Sequence, residues 1–302
     1  MRPALALLAI CGALLAEGPP RLSQVNDFGY QLQKIDPDAI AASTFDLVVV
    51  DPSRDGSDEG RWTSEEMTKI RGGAGGPRLA LAYLSYGEAE DYRGYWQKGQ
   101  QAGSARWKPG APAWLGEVNP NWEGNYPVRF WEPAWQEIMF GKPTCPLDVI
   151  LSMGFDGVYL DVIDSYQVWE KQGVKDASKR AVEAVLALSR YAKSKRAGFL
   201  VFVQNAAELG ASKAYRDAVD GIGREDMYFE GDDVRDAGER TEAEAELDRF
   251  AGDGKPVLVV EYCRAAAHVR AVYTEARKRK YIPYCTVRAL DALTVNSGFE
   301  PD

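Results

Sequence analysis

The chain has 302 residues, of which 45% are hydrophobic and 27% are charged. This is an ordinary composition for a soluble globular protein, and the length fits one α/β barrel of about 250 residues. The formal net charge of −9 at pH 7 argues against nucleic acid or an anionic membrane surface as the main partner, because both would repel the chain.

The first 16 residues predict an export signal. Arg2 precedes an apolar run of about a dozen residues that ends near Ala16, which is the order of charged, apolar and small residues in such signals. The run is too short to span a membrane. Lipid attachment at Cys11 is a weaker alternative because the bulky Ile10 precedes it, and an ordinary hydrophobic helix of the mature fold is another. We therefore expect an exported protein.

The segment from residue 24 to residue 302 predicts one (β/α)8 TIM-type barrel. Eight strand-like apolar runs span residues 28–33, 47–51, 79–85, 128–131, 157–161, 199–205, 221–225 and 257–261, and a further run over 281–285 closes the chain. Helical patterns lie between them, the clearest over residues 174–196. Strands that alternate with helices favour parallel pairing through crossover helices. An open doubly wound sheet is the alternative, but no GxGxxG turn follows the first runs.

Six of these runs end in a polar or acidic residue. The carboxyl ends of parallel barrel strands meet at one rim, where active sites are built. Helix capping could explain one acidic strand end, but four carboxylates exceed what capping requires. We therefore predict a functional site at this rim, formed by Asp51, Ser85, Asp161, Asn205, Glu225 and Glu261.

Tryptophan is concentrated in one segment, residues 96–135, which follows the predicted third strand and includes the fourth. Aromatic faces stack on the apolar C–H face of sugar rings, whereas a long loop pinned down by its own small aromatic core is the alternative. Glycine and proline are interleaved with these residues, which indicates a loop. The six residues are Trp96, Trp107, Trp114, Trp122, Trp131 and Trp135.

The available side chains favour carboxylate chemistry. The only histidine, His268, lies in an Ala-rich, helical-looking stretch, although histidine is the usual proton carrier and the commonest metal ligand. The segment GFDGVYLDVIDSY, residues 154–166, leads a buried strand into Asp161 and Asp164. Chemistry that uses carboxylates without histidine points first to glycoside hydrolysis, which needs one protonated and one ionised carboxyl group.

Five stretches occur in order over most of the chain: YQLQKIDPDAIAASTFDLVVVDPSRDG (30–56), YGEAEDYRGYW (86–96), PAWLGEVNPNWEGNY (112–126), GFDGVYLDVIDSYQVW (154–169) and REDMYF (224–229). Together they resemble glycoside hydrolase family 114, the endo-α-1,4-polygalactosaminidase family. The resemblance implies a (β/α)8 barrel that hydrolyses bonds inside α-1,4-linked galactosamine chains with two carboxylates, without a metal or an organic cofactor. On this sequence the two carboxylates match Asp161 and Glu225.

We assign Asp161 as nucleophile or charge stabiliser and Glu225 as general acid/base. Helix capping by Asp161 and pairing of Glu225 with Arg224 are the structural alternatives. An acidic rim would attract the protonated amines of a galactosamine polymer. A non-catalytic carbohydrate-binding barrel and a hydrolase or transferase that acts on another exported glycan also stay open. Candidate sugar contacts are Asp51, Tyr86, Glu88, Arg93, Asp164, Gln204, Asn205, Glu261 and Tyr262.

Overall fold

Eight parallel strands form the centre of the structure, a computed structural model that describes residues 22–97 and 110–302. They are β1 (Phe28–Gln31), β2 (Leu47–Val50), β3 (Leu79–Ser85), β4 (Gly157–Asp161), β5 (Leu200–Gln204), β6 (Gly221–Glu225), β7 (Val257–Glu261) and β8 (Ile282–Cys285). Each strand pairs in parallel with the next one in this order. The ring of Phe28 lies 5.4 Å from the ring of Tyr284, so β1 and β8 meet and nearly close the sheet. The predicted (β/α)8 barrel is confirmed.

Helices lie between the strands, as a parallel barrel requires. The longest covers part of the predicted segment 174–196 and buries Ala181, Val185 and Leu188 along one stripe, which is the pattern of a helix packed on a sheet. The described helices are α1 (Pro37–Ala42), α2 (Ser64–Arg71), α3 (Pro133–Met139), α4 (Pro146–Met153), α5 (Tyr166–Lys171), α6 (Ala177–Lys195), α7 (Lys213–Ala218), α8 (Ala237–Gly252) and α9 (Ala266–Lys278).

The predicted strand over residues 128–131 is wrong. Val128 makes an isolated antiparallel bridge with Leu115, and the ring of Phe130 packs 5.3 Å from the ring of Tyr86. These apolar residues are buried in the core of the β3–β4 connection, so hydrophobicity alone did not distinguish them from a barrel strand. The same connection carries a short antiparallel hairpin, whose strands are Glu88–Glu90 and Asn125–Pro127.

The predicted export signal, including Cys11, lies outside the described residues, and so does Trp107. Within residues 22–97 and 110–302, no helix has both the length and the apolar character needed to cross a bilayer. The three cysteines in those ranges are buried and form no disulfide bond; they are Cys145, Cys263 and Cys285.

A tyrosine on β4 meets a glycine on β6 inside the barrel. Tyr159 is fully buried, and a Cβ atom added to Gly223 would lie only 1.7 Å from its hydroxyl. Asp161 and Glu225 each follow two residues later, on the same face of their strands. Tyr159 therefore fills the barrel directly below these two carboxyls, and the position of its ring depends on the missing side chain at residue 223.

We predict that Gly223→Ala destabilises the fold by about 1–3 kcal/mol, because the added methyl group overpacks a full core. The matched control is Gly252→Ala at the end of α8, where no atom lies within 4 Å of the added Cβ; it should stay within about 1 kcal/mol of wild type. Urea unfolding of the three proteins measures the difference. Equal stability of the two variants would contradict the close packing of Tyr159.

Candidate active site

A cavity of about 770 Å³ opens at the carboxyl end of the barrel strands, a size within the range of ligand sites. Four of the six predicted strand-end residues line it. The other two, Ser85 and Glu261, are buried and do not line it. The four lining residues are Asp51, Asp161, Asn205 and Glu225.

Asp161 is held by two hydrogen-bond donors. The hydroxyl of Tyr83 on β3 donates to Oδ2 at 2.8 Å, and the backbone N–H of Val162 donates to Oδ1 at 2.6 Å. Val162 has a φ of +58°, which is unfavourable for a β-branched residue, so the surrounding structure holds this turn in place. Burial raises the pKa of Asp161 well above its usual range, and the carboxylate of Glu225 adds to the effect.

Glu225 has a similar set of partners on the other side of β5. The hydroxyl of Tyr262 donates to Oε1, and the side-chain amide of Asn205 donates to Oε2 at 3.4 Å. The Asn205 side-chain oxygen in turn accepts the backbone N–H of Glu225 at 3.2 Å, which fixes the amide's orientation. Burial raises the pKa of Glu225, while the hydrogen bond from Tyr262 opposes this rise.

The charge of one carboxyl group affects the ionisation of the other. They end β4 and β6, which are separated by β5 alone, and the charge of Glu225 raises the pKa of Asp161. Two neighbouring carboxyls with raised pKa values favour the state in which one proton is bound to the pair. Such a pair supplies one acid and one carboxylate at the same time, which is the requirement for cleaving a glycosidic bond.

Arg93 neutralises part of the cavity wall. Its guanidinium group makes two bonds to Asp51, at 3.0 and 2.6 Å, and one to Glu90 at 2.7 Å. Burial raises the pKa of Asp51, while the charge of Arg93 opposes this rise. All three side chains line the cavity, so one cation is shared by two carboxylates.

Two further predicted residues add negative charge to the wall. Asp164 lines the cavity, and burial raises its pKa to about 6, with the carboxylates of Glu208 and Glu225 contributing. Glu88 accepts a hydrogen bond from the side chain of Asn119 at 2.8 Å. Burial also raises the pKa of Glu88. The wall near these residues is therefore suited to a ligand that carries positive charge.

Three predicted sugar contacts, Tyr86, Gln204 and Glu261, do not line the cavity. Tyr86 is fully buried, and its hydroxyl lies 3.5 Å from the backbone oxygen of Ala184 on α6. Gln204 is buried at the end of β5, while its neighbour Asn205 lines the cavity. Gln204 is the last residue of β5 and Asn205 begins the left-handed turn after it, so a strand end read from sequence does not identify the residue that reaches the ligand.

Glu261 is also buried behind the cavity wall, but its contacts have a clear structural effect. Its carboxyl oxygens accept the backbone N–H groups of Met227, Tyr228 and Phe229, at 2.8, 2.7 and 3.2 Å. These residues form the loop that leaves β6 immediately after Glu225. Glu261 therefore fixes the loop that follows the acid rather than contacting the ligand.

Sequence reasoning missed several residues that line the cavity. Tyr83 lies in the apolar run LALAYLS, where its hydroxyl gave no signal of a polar role; its position two residues before the strand end was the available indication. Arg288 lies beyond β8 and places its guanidinium 4.2 Å from the ring centre of Tyr262. It also pairs with Asp226 through two contacts of 2.7 Å.

The tryptophan-rich segment contributes mostly to the core. Trp96, Trp114 and Trp135 are buried, and Trp131 is partly buried against the core. Trp122 differs, because it is 55% exposed and lines the cavity. The aromatic-core alternative thus holds for most of the described tryptophans, and one of them faces the ligand space.

Within the described ranges, no three or more His, Cys, Asp or Glu side chains come together in a cluster that could hold a metal ion. The arrangement of the cavity is that of a carboxylate pair supported by tyrosine hydroxyls and amides. Carboxyl groups arranged in this way can transfer protons and stabilise positive charge.

Comparison with known proteins gives consistent results. The model of glycoside-hydrolase family GH114 matches residues 14–298. An uncharacterized protein of Deinococcus radiodurans is 38% identical over 281 residues, which cover 92% of this chain and 85% of that protein.

Two solved structures share the fold. One is the glycoside hydrolase domain of PelA from Pseudomonas aeruginosa, with a TM-score of 0.65, 16% identity and coverage of 89% of this chain and 98% of that one. The other is Aspergillus fumigatus Ega3 in complex with galactosamine, with a TM-score of 0.64, 16% identity and coverage of 90% and 94%. At this identity the likeness establishes the barrel fold.

We predict that Glu261→Gln lowers the free energy of unfolding by about 1–3 kcal/mol. The glutamine NH₂ group would replace one carboxyl oxygen, so a backbone N–H that this oxygen accepts in wild type would lose its acceptor. Glu230→Gln, at an exposed position of the same region, serves as the control and should change stability by no more than about 0.5 kcal/mol. Denaturant unfolding and hydrogen exchange of residues 226–229 measure both effects. Unchanged exchange in Glu261→Gln would show that the carboxyl group does not hold the loop.

Proposed function

The chain belongs to glycoside hydrolase family GH114 and is a glycoside hydrolase that acts on O-glycosyl bonds; on this basis we propose that it cleaves a galactosamine-type polysaccharide with Asp161 and Glu225. The observation that carries the proposal is the placement of both carboxyls in one cavity, each with a tyrosine hydroxyl donor. The raised pKa values of both groups support a singly protonated pair.

We assign the two groups different roles. Asp161, whose carboxyl oxygens accept hydrogen bonds from the hydroxyl of Tyr83 and the backbone N–H of Val162, is the carboxylate that faces the anomeric carbon and stabilises its positive charge, covalently or electrostatically. Glu225 has the longer side chain and donates its proton to the leaving oxygen as the C–O bond breaks. It then takes a proton from the water that supplies the new hydroxyl.

The charge of the cavity supports an amino-sugar substrate. Eight carboxylic side chains line it, against four lysine and arginine side chains within the described part of the wall. The cations are also engaged by carboxylates: Arg93 pairs with two acids of the wall, and Arg288 pairs with Asp226. A protonated amine would enter a site with uncompensated negative charge. Ega3, which shares the fold, was solved with galactosamine.

We also propose that the protein is exported. The support is the order of residues 1–16, in which Arg2, an apolar run and Ala16 follow one another, as in an export signal. Polysaccharides of this kind are too large to cross a membrane unaided, so a hydrolase that acts on an exported polymer must meet it outside the cytoplasm. Detection of the mature chain outside the cytoplasm, with its new N-terminus sequenced, tests this part of the proposal.

The first test is the release of reducing ends from deacetylated and acetylated α-1,4-galactosamine polymers. We expect wild type to release them, and Asp161→Asn and Glu225→Gln to lose at least about 10²-fold in kcat, because each lacks one member of the carboxyl pair. Asp176→Asn and Glu230→Gln make the same chemical changes at exposed positions and should keep wild-type rates. Full activity in either site variant would refute its catalytic role, and inactivity of folded wild type on both polymers would refute the substrate.

The second test is the pH profile of kcat/KM. Activity should fall at low pH, where both carboxyls are protonated, and at high pH, where both are ionised. Because burial raises both pKa values, both limbs should lie above the ordinary carboxyl pKa of about 4. Tyr262→Phe removes a hydrogen bond that lowers the pKa of Glu225, so Glu225 should keep its proton to higher pH and the alkaline limb should move upward.

Tyr228→Phe is the matched control for this profile, since the Tyr228 hydroxyl is buried without a hydrogen-bond partner and does not line the cavity. Its alkaline limb should coincide with that of wild type. A Tyr262→Phe profile that coincides with wild type would show that the ionisation of Glu225 does not set this limb.

A further inference from the structure

Two exposed aromatic side chains lie at the mouth of the cavity. Among all aromatic residues in the described ranges, Tyr92 and Trp122 have the highest exposure, at 44% and 55%. Both line the cavity that contains Asp161 and Glu225. Scattered exposed apolar side chains are common on protein surfaces, but here the two exposed rings face the same ligand space.

One hairpin carries both rings. Its strands pair in antiparallel register with Glu90 opposite Asn125, and the backbone N–H of Asp91 donates to the oxygen of Gly124 at 2.9 Å, which extends the pairing by one residue. Tyr92 and Trp122 follow on opposite arms, immediately beyond these bonds. The hairpin therefore brings two residues that lie 30 positions apart in the sequence to one wall of the cavity.

The ring of Tyr92 is held in place. Its hydroxyl donates to Glu90 at 2.5 Å, and the guanidinium of Arg93 lies 5.1 Å from the ring centre. One side of the ring packs on Gly56, where an added Cβ would come within 2.6 Å of Cδ2. Gly56 has a φ of +81°, so the glycine serves both the turn and the close approach of the ring.

The backbone of Trp122 is also fixed. Its N–H donates to the oxygen of Asn119 at 3.3 Å, and its oxygen accepts from the N–H of Asn125 at 3.1 Å. The side chain of Asn119 is tied to Glu88. Because this backbone is already ordered, only the side-chain torsions of Trp122 lose freedom when a ligand binds.

We propose that Tyr92 and Trp122 form a platform that binds sugar units of an extended polysaccharide chain beyond the unit that reacts at Asp161 and Glu225. This inference rests on the proposed function, since the platform is continuous with the same cavity. The apolar C–H face of a sugar ring packs on an aromatic face. Glu90 and Glu123 line the cavity beside the two rings, so an amino sugar would meet carboxylates at the edges of the platform and aromatic faces in between.

The platform predicts a dependence on chain length. A disaccharide that fills only the sites around the carboxyl pair would not reach the rings, whereas a longer oligosaccharide would. Removal of either ring should therefore weaken long chains selectively, by about tenfold in Kd for each ring, which corresponds to about 1.4 kcal/mol. In turnover, KM for polymer should rise while kcat changes little, because the rings do not contact the reacting atoms.

The experiment measures Kd in the Glu225→Gln background, which prevents turnover, with galactosamine oligosaccharides of increasing length and with three polymers: deacetylated and acetylated galactosamine polymer, and a neutral galactan. The variants are Trp122→Ala, Tyr92→Ala and Tyr92→Phe, the last of which keeps the ring and should bind like the parent. Val118→Ala is the control, because Val118 is 48% exposed in the same connection but does not line the cavity. Thermal unfolding confirms that each variant is folded.

Weaker binding of long chains by Trp122→Ala and Tyr92→Ala, with unchanged disaccharide binding and unchanged Val118→Ala, supports the platform. Parental Kd values in both alanine variants overturn it, as does the absence of binding to every polymer and oligosaccharide. Ring-dependent binding of a chain that wild type does not hydrolyse would leave the platform standing and refute the proposed substrate. Hydrolysis without any effect of the rings would do the reverse.

Discussion

The structure is organised around the mutual repulsion of two carboxyl groups buried in one cavity. Burial disfavours the charged form of Asp161 and of Glu225, and each charge raises the energy of the other. The barrel compensates with one tyrosine hydroxyl for each group, from Tyr83 and Tyr262. These hydroxyl donors stabilise one negative charge on the pair. A basic side chain at the same place would instead neutralise that charge. Burial and mutual repulsion oppose the ionisation of both groups together, which is the condition that the proposed acid-assisted cleavage needs.

The ends of the barrel strands provide the geometry for this arrangement. After β4, β5 and β6 the chain enters the left-handed region at Val162, Asn205 and Asp226, with φ values of 58°, 59° and 48°. Each sharp turn leads the backbone away from the rim. Asp161 and Glu225, which precede two of the turns, and Asn205, which lies in the third, face the cavity. Such conformations are unfavourable for residues other than glycine and persist where the surrounding structure fixes them. The buried carboxyl of Glu261, which binds the loop after Glu225, is one such restraint.

The barrel and its polar rim could be predicted from the sequence because both follow from local patterns: apolar runs of strand length, and acidic residues where the runs stop. The run at 128–131 misled because residues of a loop core and of a strand are equally apolar. Tyr86, Gln204 and Glu261 fall beside the rim in sequence yet lie behind the cavity wall, since the direction of a side chain depends on pleat and turn geometry rather than on proximity to a strand end. The position of Tyr83 near a strand end was a weak indication, but its hydrogen bond could not be predicted because its partner Asp161 is 78 positions away.

The carboxyl pair and the exposed aromatic rings lie on different parts of the fold. The carboxyl pair belongs to the barrel strands, whose positions are fixed by parallel pairing on both sides. The exposed rings belong to the β3–β4 connection, whose described part has its own aromatic core of buried tryptophans. On the proposed assignment, a change at Tyr92 or Trp122 would alter which chain is held while Asp161 and Glu225 stay on their strands. The proposed recognition of the polymer and the proposed chemistry of cleavage would then be separable, as expected where connecting loops rather than strands carry recognition.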